Sequence, residues 1–228
     1  TEYICKNTII PYLSKNGSTE PYQLVMEYKD NIPELEQRLE QVKILDPACG
    51  SGAFLVKAID TLLSIYDEIH NLKESRGAYT TTKKGKKSST SQYVTFDKGL
   101  EMERIRSIIQ NNIYGVDINS ESVEITKLSL FLKIASKNKR LVKLSDRIRV
   151  GNSLIDDQNV VPNAFDWAQA FPEKFDIVIG NPPYVRQEIF KEIKHYLKSK
   201  YACYSSIADL YVYFVEKGIN LLKDKVVV

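Results

Sequence analysis

Residues 175–184 read Phe-Asp-Ile-Val-Ile-Gly-Asn-Pro-Pro-Tyr, and the reading of this run decides the fold. Phe175–Ile179 is a short, strand-favouring stretch, of the length and apolarity expected of a buried strand. It stops at Gly180; Asn181 then meets Pro182, Pro183 and the aromatic ring of Tyr184. Prolines fix their own φ and keep the preceding residue extended. The segment therefore predicts a buried strand running into a rigid, half-open pocket able to grip a planar amino group.

Similar strand-then-loop units precede it. Val42–Leu45 is a strand that closes at Asp46-Pro47, Ile113–Asp117 is a second, and Ile148–Val150 is a short third. A fifth begins near Val226. Helical spacing fills the intervals: Leu55, Ile59, Leu62, Tyr66 and Ile69 mark one helix, and others are expected over 100–110, 120–136 and 207–222. Upstream, residues 1–14 predict a short helix, 15–22 a loop, and Pro33 opens a helix that ends at Gln41. Strands alternating with helices imply an α/β domain, a mostly parallel sheet with helices on both faces. The division expected is a helical segment over 1–41 and a core over 42–228. Within that core, the polar, lysine-rich residues 73–98 read as a mobile basic insertion.

Composition narrows the class. With 228 residues and a net charge of +3, the chain suits one ordinary domain and is no polycation. Cys5, Cys49 and Cys203 are widely spaced and form no CxxC pair, against a disulfide framework or zinc ribbon. No metal-ligand spacing, signal peptide or long apolar run is present, so a reducing cytoplasm and no membrane are expected. The chain lacks an initiator Met and stops at three valines, and it reads as a C-terminally truncated piece of something longer.

Every polar or glycine-rich motif falls at the carboxyl end of a predicted strand, where open parallel sheets bind ligands. Asp46 closes the first, Asp117 the second, Asn152 the third and Asn181 the fourth. Gly50 and Gly52 permit a tight turn into a helix, and an acid such as Asp117 can accept both hydroxyls of a ribose.

Taken together, DPACGSGAFL (46–55), GVDIN (115–119), GNSL (151–154) and NPPY (181–184) resemble the motifs of gamma-type amino DNA methyltransferases. The PACGSG and GNPPYV wording is particularly similar to the methyltransferase part of type IIG restriction–modification enzymes. The resemblance implies a Rossmann-like class I fold that takes S-adenosylmethionine and methylates the 6-amino group of a flipped adenine in double-stranded DNA. It also implies that the cytoplasm is prokaryotic, and a separate target-recognition domain that is absent from these residues.

Carried over by position, the resemblance gives Asp46, Pro47, Ala48, Cys49, Gly50, Ser51 and Gly52 to the methionine end of the cofactor. Asp117 falls on the ribose, Ile118 on the cofactor adenine, and Asn152 on its amino group, a role that Ser153 or Asp156 would share. Phe54 lines the cofactor pocket or belongs to the core. Asn181 and the Pro182 carbonyl hold the target amine, Pro183 stiffens the loop, and Tyr184 stacks on the base.

The chemistry suits those residues. An aromatic amine is a poor nucleophile because its lone pair is delocalised, and two fixed acceptors would draw its hydrogens out of conjugation. No general base is needed, and His70 and His195 read as surface residues. Arg186, Lys191 and Lys194 follow the catalytic loop and are candidates for DNA phosphates, whereas the basic residues of 133–149 read as solvated helix faces. Protein-glutamine and ribosomal RNA guanine methyltransferases carry similar motifs. A cofactor-binding module inactive in isolation is the non-enzymatic alternative.

Overall fold

The computed structural model describes residues 1–81, 98–134, 143–185 and 193–223. Its organising strand is β1 (Ile44–Asp46), which pairs in parallel with β2 (Ile113–Asp117) on one side and β4 (Ile177–Val178) on the other. The strand β3 (Ile148–Val150) lies beyond β2, giving the order β3-β2-β1-β4. Leu222 bridges in parallel to Phe175, so the chain begins a further pairing just after its last described helix.

Neighbouring strand residues point to opposite faces, and the register lines up like with like. Ile44 sits beside Ile113 and Ile177, and these join one large core. That core is covered by α1 (Glu2–Leu13), α2 (Pro21–Glu27), α3 (Ile32–Gln41), α4 (Ala53–Thr81), α5 (Lys98–Asn111) and α6 (Ser120–Ile134). Leu45, Tyr114 and Val116 face the other way, into an aromatic cluster with Phe165, Trp167, Phe171 and Phe175. Tyr114 meets Phe171 and Phe175 edge-on at centroid distances of 5.4 and 5.1 Å. Such pairs add about 0.5–1.5 kcal/mol each beyond the area they bury. A third cluster, around Leu154, Ile155 and Tyr213, carries α8 (Lys194–Lys200) and α9 (Leu210–Leu221).

Several expectations need correction. The first strand starts two residues late, and the predicted loop over 15–22 gives way at Pro21 to α2, which takes proline in its first turn. The helix α4 runs on to Thr81 and α5 starts at Lys98, so the two ends of the expected 73–98 insertion continue flanking helices; residues 82–97, the bulk of it, lie outside the described residues. The second face is covered by the predicted last helix and also by an aromatic loop around α7 (Trp167–Ala170), an element too short for periodicity to reveal. The fifth strand at Val226 lies outside the described residues.

Buried Asp176 ties the layers together at the amino edge of β4. It accepts from the Tyr12 hydroxyl at 2.7 Å, the Lys43 amide at 2.8 Å and the Lys223 ammonium at 2.8 Å. Burial, and then the Asp176 carboxylate, hold the Tyr12 phenol above its usual range. Removing one member of such a network leaves the others unpaired. Asp176→Ala is expected to cost ~3 kcal/mol and to lower Tm measurably by calorimetry. An unchanged Tm would show that the network carries no stability.

Candidate functional site

The chain steps from β1 to β2 and β3 on one side, then returns to β4 on the other. That reversal opens a crevice at the carboxyl ends of β1 and β4. Two lobes occupy it. One, of about 140 Å³, is walled by Asp46, Pro47 and Ala48 after β1 and by Ile179, Gly180 and Pro182 after β4. The other, of about 110 Å³, shares Pro47 and Ala48 and reaches Asp117, Ile118, Asn152 and Pro183. Four strand-end motifs thus meet around one dipeptide.

Asp46 is 1% exposed and accepts from the Ala48 amide at 3.0 Å. Burial pushes its carboxyl up to about 7; the Asp117 charge adds to this and the Ala48 hydrogen bond opposes it. A β-carbon on Gly180 would stand 2.6 Å from Asp46 Oδ1, so this close approach of the two loops requires glycine.

The turn between β1 and α4 is held from two sides. Gly50 and Gly52 take φ of 51° and 84°, in the left-handed region. A β-carbon on Gly52 would also strike Thr126 at 2.9 Å. The Thr126 hydroxyl donates to the Gly50 carbonyl at 2.7 Å, and the Gly50 amide donates to Asp117 Oδ2 at 2.8 Å. The Asn119 amide donates to Asp117 Oδ1 at 2.9 Å. Asp117 is therefore fixed in place, and a carboxylate so held still has acceptor sites to offer the second lobe.

Asn152 borders that lobe, with its Oδ1 accepting from the Leu154 amide at 3.1 Å. The Ser153 hydroxyl is buried and donates to the Pro47 carbonyl at 2.5 Å, so it pins the first loop. Asp156 accepts from the Tyr196 hydroxyl at 2.7 Å. Phe54 packs in the main core and borders neither lobe. Buried Cys49 and exposed Ser51 border neither lobe as well, and Ser51 lines a separate cavity near Thr1.

On the loop after β4 the Asn181 side chain is exposed and makes no hydrogen bond among the described residues. Tyr184 is 74% exposed, its ring 5.7 Å from that of Tyr211 at the start of α9. The Leu210 amide donates to the Val185 carbonyl at 3.0 Å and ties that helix to the loop. Lys194 opens α8; Arg186 and Lys191 lie outside the described residues. His195 is exposed, and half-buried His70 lies 3.2 Å from Glu74.

Residues 111–228, more than half of the chain, match the family described as Eco57I restriction-modification methylase. The chain belongs to that family. It is 30% identical over 240 residues to the type II restriction enzyme and methyltransferase RM.Eco57I of Escherichia coli, covering 93% of this chain and 22% of that protein. It is 26% identical over 194 residues to the type II methyltransferase M.BstVI of Geobacillus stearothermophilus, covering 83% and 28%. With the adenine-specific methyltransferase BrxX of Escherichia coli O9:H4 it shares 25% identity over 173 residues, covering 66% and 12%. The chain thus spans less than a third of the length of each of these relatives.

In this Eco57I-family domain three site residues escape sequence reasoning. Thr126 looks like an ordinary interior position of a helix, yet its hydroxyl clasps the glycine turn. Phe214 borders both lobes, and Tyr211 carries Tyr184. In sequence both are apolar or aromatic positions of an apolar helix, which read as core. Among the described residues no group of three His, Cys, Asp or Glu is placed to hold a metal ion. None of the described helices is long and apolar enough to cross a membrane.

Proposed function

We propose that this chain is the methyl-transferring domain of a DNA-modifying enzyme, and that its crevice takes S-adenosylmethionine and an extruded adenine. The observation that carries the reading is the shared Pro47–Ala48 wall. It sets the Asp117 lobe and the Gly180–Pro182 lobe side by side, so a cofactor and an amine could lie in contact. The residues suit the group: the glycine turn leaves backbone open to close approach, and two carboxylates face a ligand that carries positive charge. The likeness to the adenine-specific methyltransferase BrxX favours adenine as the target. The relatives' names likewise favour a modification role within a longer protein acting on double-stranded DNA.

When bound, S-adenosylmethionine supplies a methyl group activated on a cationic sulfur. Asp117 would accept the ribose hydroxyls, Ile118 and Phe214 would hold the adenine ring by contact, and Asn152 would meet its edge. Asp46 and the backbone of 48–52 would hold the methionine end. At the other loop, the Asn181 Oδ1 and the Pro182 carbonyl would each accept one hydrogen of the target amine and turn its lone pair out of the ring. Tyr184 is free to stack on that base, an interaction worth ~1–3 kcal/mol. This offsets part of the few kcal/mol that extrusion from the duplex costs. Lys194, with Arg186 and Lys191, would meet the phosphates nearby.

Labelled methyl groups should pass from the cofactor to duplex DNA and appear in N6-methyl-2′-deoxyadenosine on nucleoside analysis. Label recovered in protein glutamine or in RNA guanine would overturn the DNA reading. Asp117→Ala should weaken cofactor binding at least ~tenfold by calorimetry, because it removes the ribose acceptor and releases Gly50. Unchanged affinity would take Asp117 out of the ribose role.

A further inference from the structure

A second cavity, of about 540 Å³, opens at the amino edge of the sheet, the edge opposite the crevice. Its charged lining comes from Lys43, just before β1, from Lys143, Asp146, Arg147 and Arg149 around β3, and from Glu173 before β4. Two of the cations are matched: Lys43 pairs with Glu173, and Lys143 with Asp146 at 2.8 Å. Arg147 and Arg149 remain, and among the described residues neither forms an ion pair.

Both arginines are preset by packing. The Arg147 guanidinium lies 4.5 Å from the Tyr114 ring centre and donates to that tyrosine's hydroxyl. The Arg149 guanidinium lies 5.5 Å from the ring centre of Phe171. Stacking on aromatic faces fixes planar forks at little further entropic cost. The Arg149 Nε is buried and has no hydrogen-bond partner, and a buried donor left unpaired calls for an explanation. Burial, then the charges of Lys223 and Arg147, depress the Lys43 ammonium, as expected beside surplus positive charge. The sequence signal was present in the basic stretch 133–149, but Arg147 and Arg149 belong to a strand and its approach, not to a solvated helix face.

Because guanidinium groups already cover the aromatic faces, the cavity offers no open ring for a base to stack on. It offers two oriented forks, one of them with an unpaired Nε, and such planar forks match the oxygens of phosphate. We propose that this cavity is a second, non-catalytic site that binds a phosphate group through Arg147 and Arg149. The five residues of β2 span about 15 Å between the two edges of the sheet. The phosphate belongs either to a free nucleotide or to a further turn of nucleic-acid backbone, and the inference holds whether or not the crevice transfers methyl groups.

The test is calorimetric titration with inorganic phosphate and pyrophosphate at constant ionic strength, on the native protein, Arg149→Met and Arg147→Gln. Arg149→Met keeps the packing over Phe171 and removes the fork. Native protein should bind, and each variant should bind at least ~tenfold more weakly while keeping its circular dichroism and its affinity for S-adenosylmethionine. Arg149→Lys should fall between, because charge alone does not replace the fork. Displacement of phosphate by ATP identifies a free nucleotide as the source. Displacement by duplex DNA that is lost in Arg149→Met identifies the backbone. Absence of phosphate binding by the native protein, or equal binding by folded Arg149→Met and Arg147→Gln, overturns the proposal.

Discussion

Asn181→Ala is expected to reduce methyl transfer by ~10²–10³-fold or more while leaving cofactor affinity and thermal stability nearly unchanged. The separation follows from where the side chain stands. It is exposed and uses no hydrogen bond within the described fold, so truncation removes no structural contact. Surface changes of that kind usually stay within about 0.5 kcal/mol. The backbone beneath it stays fixed by Pro182, which walls the lobe, and by Gly180, which is pressed against Asp46. The substitution therefore deletes one acceptor from a prearranged pair. The remaining acceptor cannot rotate the amine by itself, and an interaction made only as the lone pair leaves conjugation appears in kcat, not in binding. Single-turnover rates on duplex DNA, with calorimetry for the cofactor, check this. Lost cofactor affinity would mean that Asn181 belongs to the other half of the crevice, and an undiminished rate would remove it from the chemistry.

The strand-end motifs were legible in sequence because each combines a hydrophobic run with a residue type that a loop at that edge needs. Asp46, Asp117, Asn152, Gly180, Pro182 and Pro183 border one crevice at successive strand ends, whereas the exposed Asn181 side chain lines neither lobe. What sequence could not give is the far wall. Phe214 lies on α9, far along the chain from the loop after β4, and nothing local separates a pocket-lining phenylalanine from a buried one. Ser153 lines the second lobe and also has a structural task that its motif does not reveal. It sits in a recognisable motif, yet its hydroxyl is turned inward to Pro47, and only the packing of Trp167 against its carbonyl shows why. Phe54 likewise follows the glycine turn directly, and the helical spacing then carries it into the core. The short helices α2, α7 and α8 escaped because seven or fewer residues give no readable period.

Asp46→Asn should raise the thermal stability of the unliganded protein at pH 8 and at the same time weaken its hold on S-adenosylmethionine. The carboxyl is fully buried and receives one amide hydrogen bond, and burial with the nearby Asp117 charge pushes it up to about 7. In the unfolded chain it returns to about 4. Between those values the native state holds the extra proton, so this group's stabilising contribution is complete below pH 4 and is lost as pH rises through 7. Above pH 7 the buried charge costs roughly 4 kcal/mol, an upper figure because native relaxation reduces it. The Asn amide keeps the oxygen that accepts from Ala48 and carries no charge, so Tm at pH 8 should rise and lose its dependence on pH in this window. A cationic ligand reverses the preference. It favours the ionised carboxylate, so binding near neutral pH expels a proton and affinity should climb from pH 6 to 8 in the native protein only. Calorimetry in two buffers of different ionisation enthalpy would register that proton, and Asp46→Asn should abolish it while lowering affinity at pH 8 by ~10–100-fold. Affinity that is flat with pH, or a lowered Tm in Asp46→Asn, would mean that this carboxylate is a structural acceptor for the turn and does not face the cofactor's charge.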